Sequence, residues 1–459
     1  MYAVIGAGMG GLASAIQLAR SGREVTVFEA TAQPGGLAGR VDLGGHAMDG
    51  GPYILLDRPG LEWSFEQLGE TLADHIDLIP LDETWRVCWP NGQEVRVYRS
   101  LEQTAQELEY AYPGAAKRYI RYVEQMTKTY QRLAPFQRSR PPKPWQLLRP
   151  SRVAAVPFLL RPLGHHLAAT GLAEKVQHAL GIWTHIASQP LAKAPAPLAF
   201  VPAIVHSVGA FVARGGVHTI PEALHRIAEK AGVQFRFNTR VTRIDRSGDR
   251  VTHIVAGDEH IAVDGVVSNA PGIGTLTELV QPPDPALSRE LKELPLQSPG
   301  VAVYMTGDAE PQVPFLRFML RPDEPCRLFI RFDGVDETRP RQLRLLCPTD
   351  HTWAEAAGPE GQTQYLNTVI NESWWRAGID NVETLGTRIP VEWGRRHHLY
   401  RDSMNPVMTA KYMRRGRLPH SPSIATNLHL AGSATHPGQW VSFAAISGIL
   451  AAAAITEDA

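Results

Sequence analysis

The first residues switch hydrophobic period twice. Tyr2 to Ile5 is an apolar run of strand length, after which Leu12, Ala15, Ile16 and Ala19 recur at helical spacing. Gly22 stands where a helix would be capped, and Glu24 to Phe28 resumes a strand. This order predicts the opening of a parallel sheet with a crossover helix. Pro221 to Ala231 is again helical, with Leu224, Ile227 and Ala228 on its apolar side and Gly232 closing it. Phe235 to Ile244, Val251 to Ala256 and Ile261 to Ser268 alternate as strands between polar turns. Asn427 to Leu430 predicts one more strand, followed by a turn and an amphipathic helix from about Gln439. Residues 1–74, 206–274 and 413–459 therefore predict one α/β domain, discontinuous in sequence. Residues 75–205 and 275–412 mix helical and strand patterns and predict a second, α+β domain.

Between the first strand and helix lies Gly6-Ala7-Gly8-Met9-Gly10-Gly11, in which Gly6, Gly8 and Gly11 form G-x-G-x-x-G. The first glycine permits the tight turn, and the second lets a pyrophosphate approach the backbone. The third lets helix and strand pack closely while the helix N-terminus faces the anion. Glu29 ends the next strand eighteen positions after Gly11, the spacing of a carboxylate that accepts from a ribose diol. Glycine-rich turns are common, but strand, helix, second strand and acid all fall in register here.

A chain of 459 residues is too long for one core, which suits two domains. Its 46 Lys and Arg balance its 46 Asp and Glu, so the electrostatic footprint of a nucleic-acid binder is missing. Cys88, Cys326 and Cys347 are scattered, without the spacing of a thiol redox pair or a zinc site, and fit a reducing cytoplasm. Met1 to Leu18 lacks the basic start of a signal peptide. No run reaches the roughly 18 to 20 apolar residues that cross a bilayer. The expectation is a cytoplasmic protein, soluble or attached to the inner face of a membrane.

After Glu29, Pro34-Gly35-Gly36-Leu37-Ala38-Gly39-Arg40 supplies a second glycine-rich turn with a cation suited to phosphate, and Asp49-Gly50-Gly51-Pro52-Tyr53 follows. Near the end, Ala431-Gly432-Ser433-Ala434-Thr435-His436-Pro437-Gly438 leads into the last helix. These segments, with Arg214 to His218, Asn238 to Ile244 and Val266 to Ala270, resemble the FAD-dependent phytoene desaturase family within the flavin amine oxidase superfamily. The resemblance implies a Rossmann-type FAD domain beside a substrate domain. It assigns Gly6, Ala7, Gly8, Met9, Gly10, Gly11, Glu29, Ala30, Gly35, Gly36 and Arg40 to the ADP half of the cofactor. Val241 reaches the adenine side, with Asn269 and Ala270 close by. Gly51, Pro52 and Tyr53 lie near the isoalloxazine, while Gly432, Ser433, Gly438, Gln439, Trp440 and Val441 line the ribityl chain and ring. The implied chemistry is desaturation of a hydrophobic polyene by hydride transfer to flavin N5. Isomerisation, saturation, amine oxidation and a non-catalytic flavoprotein stay open as alternatives. Without a second dinucleotide fingerprint, oxygen or a quinone is the expected electron acceptor.

Arg138 to Leu163 interleaves six basic residues with Trp145 and aliphatic side chains, holds six prolines and carries no acid. Such a segment can rest in a lipid interface or form a lid on its own domain. The pairs His165-His166 and His397-His398 have no acid or Cys companions at ligand spacing, so no metal is expected. Asp57, Asp74 and Asp77 read as solvated charges, and no residue stands out as a catalytic base.

Overall fold

The computed structural model describes residues 1–141 and 156–457, and in it Tyr2–Ile5 (β1) and Val25–Phe28 (β2) are adjacent parallel strands joined through the helix Met9–Arg20 (α1). They lie within a five-stranded sheet of order Leu428–Leu430, Gly265–Ser268, β1, β2, Gln234–Arg236, in which every pairing is parallel. Alternation along the strands sorts their side chains to two faces. Val4, Val27 and Val267 pack with Leu12 and Ile16 of α1, whereas Ala3, Ile5, Phe28 and Val266 pack with Ile244 and Ile254 of a second sheet. Both faces are thus covered, as parallel sheets require.

The apolar run Phe235 to Ile244 divides in two. Gln234–Arg236 stays in the parallel sheet, but Asn238 adopts φ 51° and turns the chain, so that Val241–Ser247 enters the second, four-stranded sheet. A short polar residue tolerates this left-handed conformation and lets one run serve two sheets.

The final helix, Val441–Glu457, was expected to be amphipathic, yet its described positions are buried or half-buried on every side. Gly448 explains this, because a Cβ there would lie 2.0 Å from the Gly10 carbonyl oxygen. The helix therefore lies flush against α1, with the helix Arg58–Gln67 against another of its sides. A helix with neighbours all round needs no polar face.

A seven-stranded mixed sheet runs in the order 379–388, 301–309, 342–347, 327–331, 316–319, 83–88, 94–98. Its first and last blocks are joined by the parallel pairing of Arg317–Met319 with Arg86–Cys88. Helices between residues 101 and 207 cover one face of it through Tyr119, Val123, Leu167, Leu180 and Ile204. Most of the basic segment Arg138 to Leu163, Trp145 included, lies outside the described residues. Among the described residues, no helix is long and apolar enough to cross a membrane.

Candidate functional site

The glycine-rich turn packs as its spacing demands. Gly6 holds φ 92°, and a Cβ on Gly11 would lie 2.0 Å from the Gly6 carbonyl oxygen, so only glycine lets α1 start this close to β1. Asn269, at the end of Gly265–Ser268, reaches across this turn to within 2.8 Å of the positions that side chains on Gly8, Gly10 and Gly432 would need. Three stretches far apart in sequence therefore meet at the N-terminus of α1. Gly35 joins them by donating its N–H to Ala7 O at 2.8 Å.

Glu29 is buried at the end of β2. Its Oε2 accepts from Ala7 N at 2.7 Å, and its Oε1 accepts from Thr31 N and Oγ1 at 2.8 and 2.7 Å. Burial, then the Arg240 guanidinium, holds the nearby His398 imidazole below its usual range, while Glu29 pulls the other way.

A cavity of about 590 Å³ runs from Glu29, Arg240 and Val241 past Gly8, Met9, Gly10 and Gly36. Gly51–Tyr53, Gln439–Val441 and the apolar side chains of Trp183, Ile186, Leu198, Phe200 and Ile204 line the same cavity, and Tyr53 and Trp440 share one hydrophobic cluster with those apolar residues. Most of the residues singled out from the sequence line it; Ala7, Gly11, Arg40 and Gly438 do not. Ala7 acts through its backbone on Glu29, and Gly11 through close packing. Arg40 was expected to meet phosphate but pairs with Asp42 at 3.0 Å on a hairpin, and Leu37 of the same turn faces the cavity instead. Gly438 holds φ 151° beside the Arg417 guanidinium, whose Nη2 would be 2.8 Å from a Cβ there.

Sequence reasoning missed the arginines under Asp49 to Tyr53. Asp49 Oδ1 meets His218 Nδ1 at 2.9 Å and accepts from His218 N at 3.1 Å, and Arg339 Nη1 donates to Oδ2 at 2.8 Å. Burial alone would raise the Asp49 carboxyl, but Arg339 and His218 outweigh it and hold the group well below the usual carboxylate range. Arg344 Nη1 donates to Asp49 O at 3.1 Å and Gly51 O at 2.8 Å, and Arg388 donates to Gly50 O at 2.7 Å and Pro299 O at 3.0 Å. Burial lowers the Arg388 guanidinium to about 10. The loop beside the cavity is thus fixed from beneath by cations. The signal was a charge inside an apolar strand, Leu343-Arg344-Leu345-Leu346.

Asp57, read as a solvated charge, is 4% exposed. It caps the helix Arg58–Gln67 through Gly60 N at 3.2 Å and accepts from Ser442 Oγ at 2.8 Å, and burial raises its carboxyl above the usual range. Asp74 and Asp77 are exposed. His397 lines the cavity with its ring 4.1 Å from that of Trp393, and burial lowers it to about 3. Trp440 and Phe443, one helical turn apart, stack at 4.9 Å in the cavity wall.

A model of the flavin-containing amine oxidoreductase family matches residues 9–308, more than half of the chain. The chain belongs to that family. It is an FAD-dependent oxidoreductase, and the cavity suits the cofactor: a buried carboxylate for the ribose, a helix N-terminus bared by glycines for the pyrophosphate, and a slot between two loops for the ring. A phytoene dehydrogenase of Streptomyces griseus is 29% identical, over 99% of this chain and 94% of that protein. A hydroxyneurosporene desaturase of Rhodobacter capsulatus is also 29% identical, over 99% and 97%. Among solved structures, the fatty acid isomerase of P. acnes shares the fold with a TM-score of 0.65 at 15% identity, over 98% of this chain and 96% of that one.

Proposed function

We propose that this flavoenzyme desaturates a long apolar polyene of isoprenoid type. The observation that carries the reading is the apolar half of the cavity, where Trp183, Ile186, Leu198, Phe200, Ile204 and Phe443 continue the walls that flank the ring slot. The relatives named for phytoene and hydroxyneurosporene support the same substrate class. Bound FAD supplies a hydride acceptor, so that loss of a hydride and a proton from neighbouring carbons leaves a new double bond.

The chain's own residues supply the rest. Glu29 accepts from the ribose hydroxyls, and the N-terminus of α1 takes the pyrophosphate. Gly51 to Tyr53, held from beneath by Arg344 and Arg388, fix one edge of the ring slot, and Ser433 to Val441 form the other. Trp183, Phe200 and Phe443 hold the substrate chain against the ring and exclude water, which keeps the reacting carbon in place. Oxygen or a quinone serves as electron acceptor. Gly272 and Gly274 support this, since they line the same cavity in place of a second nucleotide turn, while Ile273 between them is buried in the core.

The test is to incubate the FAD-loaded protein with phytoene in detergent micelles, supplying oxygen, a soluble quinone or NAD(P)+ in turn. Products lighter by pairs of hydrogens, formed with oxygen or the quinone, are expected. Unchanged or increased mass would replace the reading by isomerisation or saturation. Peroxide released from amines with no polyene turnover would replace it by amine oxidation.

A further inference from the structure

Arg417 is not accounted for by the desaturation of a pure hydrocarbon. Leu418 pairs with Thr435 in a parallel bridge, which sets Arg417 beside the turn 436–438, where the bare Gly438 makes room for its guanidinium. The side chain lines the cavity together with Met408, Met413 and Gln439. Its Nη1 donates to the Met408 sulfur at 3.1 Å, a weak acceptor, and its Nε is sealed from solvent with no hydrogen-bond partner. Among the described residues it makes no ion pair, and the carboxylates that line this cavity are Glu29, beside the glycine turn, and Glu278, beside Gly274. Burial lowers the guanidinium to about 10, which leaves it charged at neutral pH. A second donor in the cavity wall, Trp183 Nε1, is likewise buried without a partner.

Arg417 is half-buried, and among the described residues its neighbours are the Met408 thioether and the Tyr412 phenol, neither of which carries a counter-charge at neutral pH, so an anion that reaches it is favoured. The pyrophosphate does not answer this need, because it is drawn to the glycine turn and the N-terminus of α1. An unmatched cation would also oppose hydride loss, which leaves positive charge on the substrate. A bound anion removes that opposition.

We propose that Arg417 recognises a carboxylate at the end of the substrate, so that the preferred substrate class is a polyene acid. This inference rests on the polyene reading above. From it, the guanidinium anchors the head group, and the apolar half of the cavity receives the chain.

The test compares all-trans-retinoic acid with its methyl ester, each titrated into the FAD-loaded protein in the same micelles and followed by perturbation of the flavin absorption band. The wild type is expected to bind the acid at least about tenfold more tightly, as for a charge-assisted pair. Arg417→Gln is expected to erase that preference while its FAD content stays unchanged, and Arg417→Lys to restore part of it. Equal binding of acid and ester by the wild type would overturn the inference alone and leave the polyene reading standing. Binding of neither would overturn both. Since the wild-type comparison is decisive by itself, the test does not depend on the folding of a variant.

Discussion

Asp49 shows how a single buried charge organises the wall of the site. It joins Arg339 and His218 in one cluster, and its own carbonyl is held by Arg344. Asp49→Asn leaves Arg339 without its counter-charge, a loss of about 3–5 kcal/mol for a broken buried pair. The folded carboxyl lies below its unfolded value of about 3.9, so its stabilisation is complete above that pH and is lost as pH falls through the window beneath it. Urea denaturation midpoints of wild type and variant should therefore be far apart at pH 7 and converge below about pH 4. A gap of constant size across that range would contradict the assignment. Apart from Arg344, whose charge stands out inside an apolar strand, little of this cluster could be read from sequence, because its members lie up to 295 positions apart and each of the others looks like an isolated polar residue.

At the scale of elements, legibility followed range. The unit β1, α1, β2 and the end position of Glu29 were legible because glycine spacing and hydrophobic period act within a few residues. The final helix departs from its amphipathic pattern because both of its neighbours, α1 and Arg58–Gln67, are distant in sequence, and nothing in a glycine-rich turn says which of its side chains, Leu37 or Arg40, faces inward. Asp57 was misread for a related reason, since its second partner, Ser442, lies on that same final helix. The Asp57 contact ties the N-terminus of Arg58–Gln67 to the first turn of Val441–Glu457, next to Trp440. Asp57→Ala should cost about 1–2 kcal/mol as a lost cap, read as a fall in thermal midpoint. Asp57→Asn should restore most of it, because its side chain still accepts from Gly60 N and can donate to Ser442 Oγ. Equal midpoints for the Ala variant and wild type would remove the tie from the account.

At the scale of the whole molecule, a parallel sheet assembled from stretches near residues 1–28, 234–268 and 428–430 brings three glycine-bearing turns to one edge, and the seven-stranded sheet with its helices closes an apolar chamber against them. Neither part has the cavity by itself. The substrate half was the least legible, since its walls come from helical stretches whose apolar residues read as ordinary core. Desaturation requires electrons to pass from a polyene in that chamber to FAD in the slot beside it. Anaerobic mixing of the FAD-loaded protein with a polyene, followed at the visible flavin band, tests this most directly. The flavin is expected to bleach, and the product formed to have lost two hydrogens. A flavin that stays oxidised with every polyene and bleaches with an amine would contradict it.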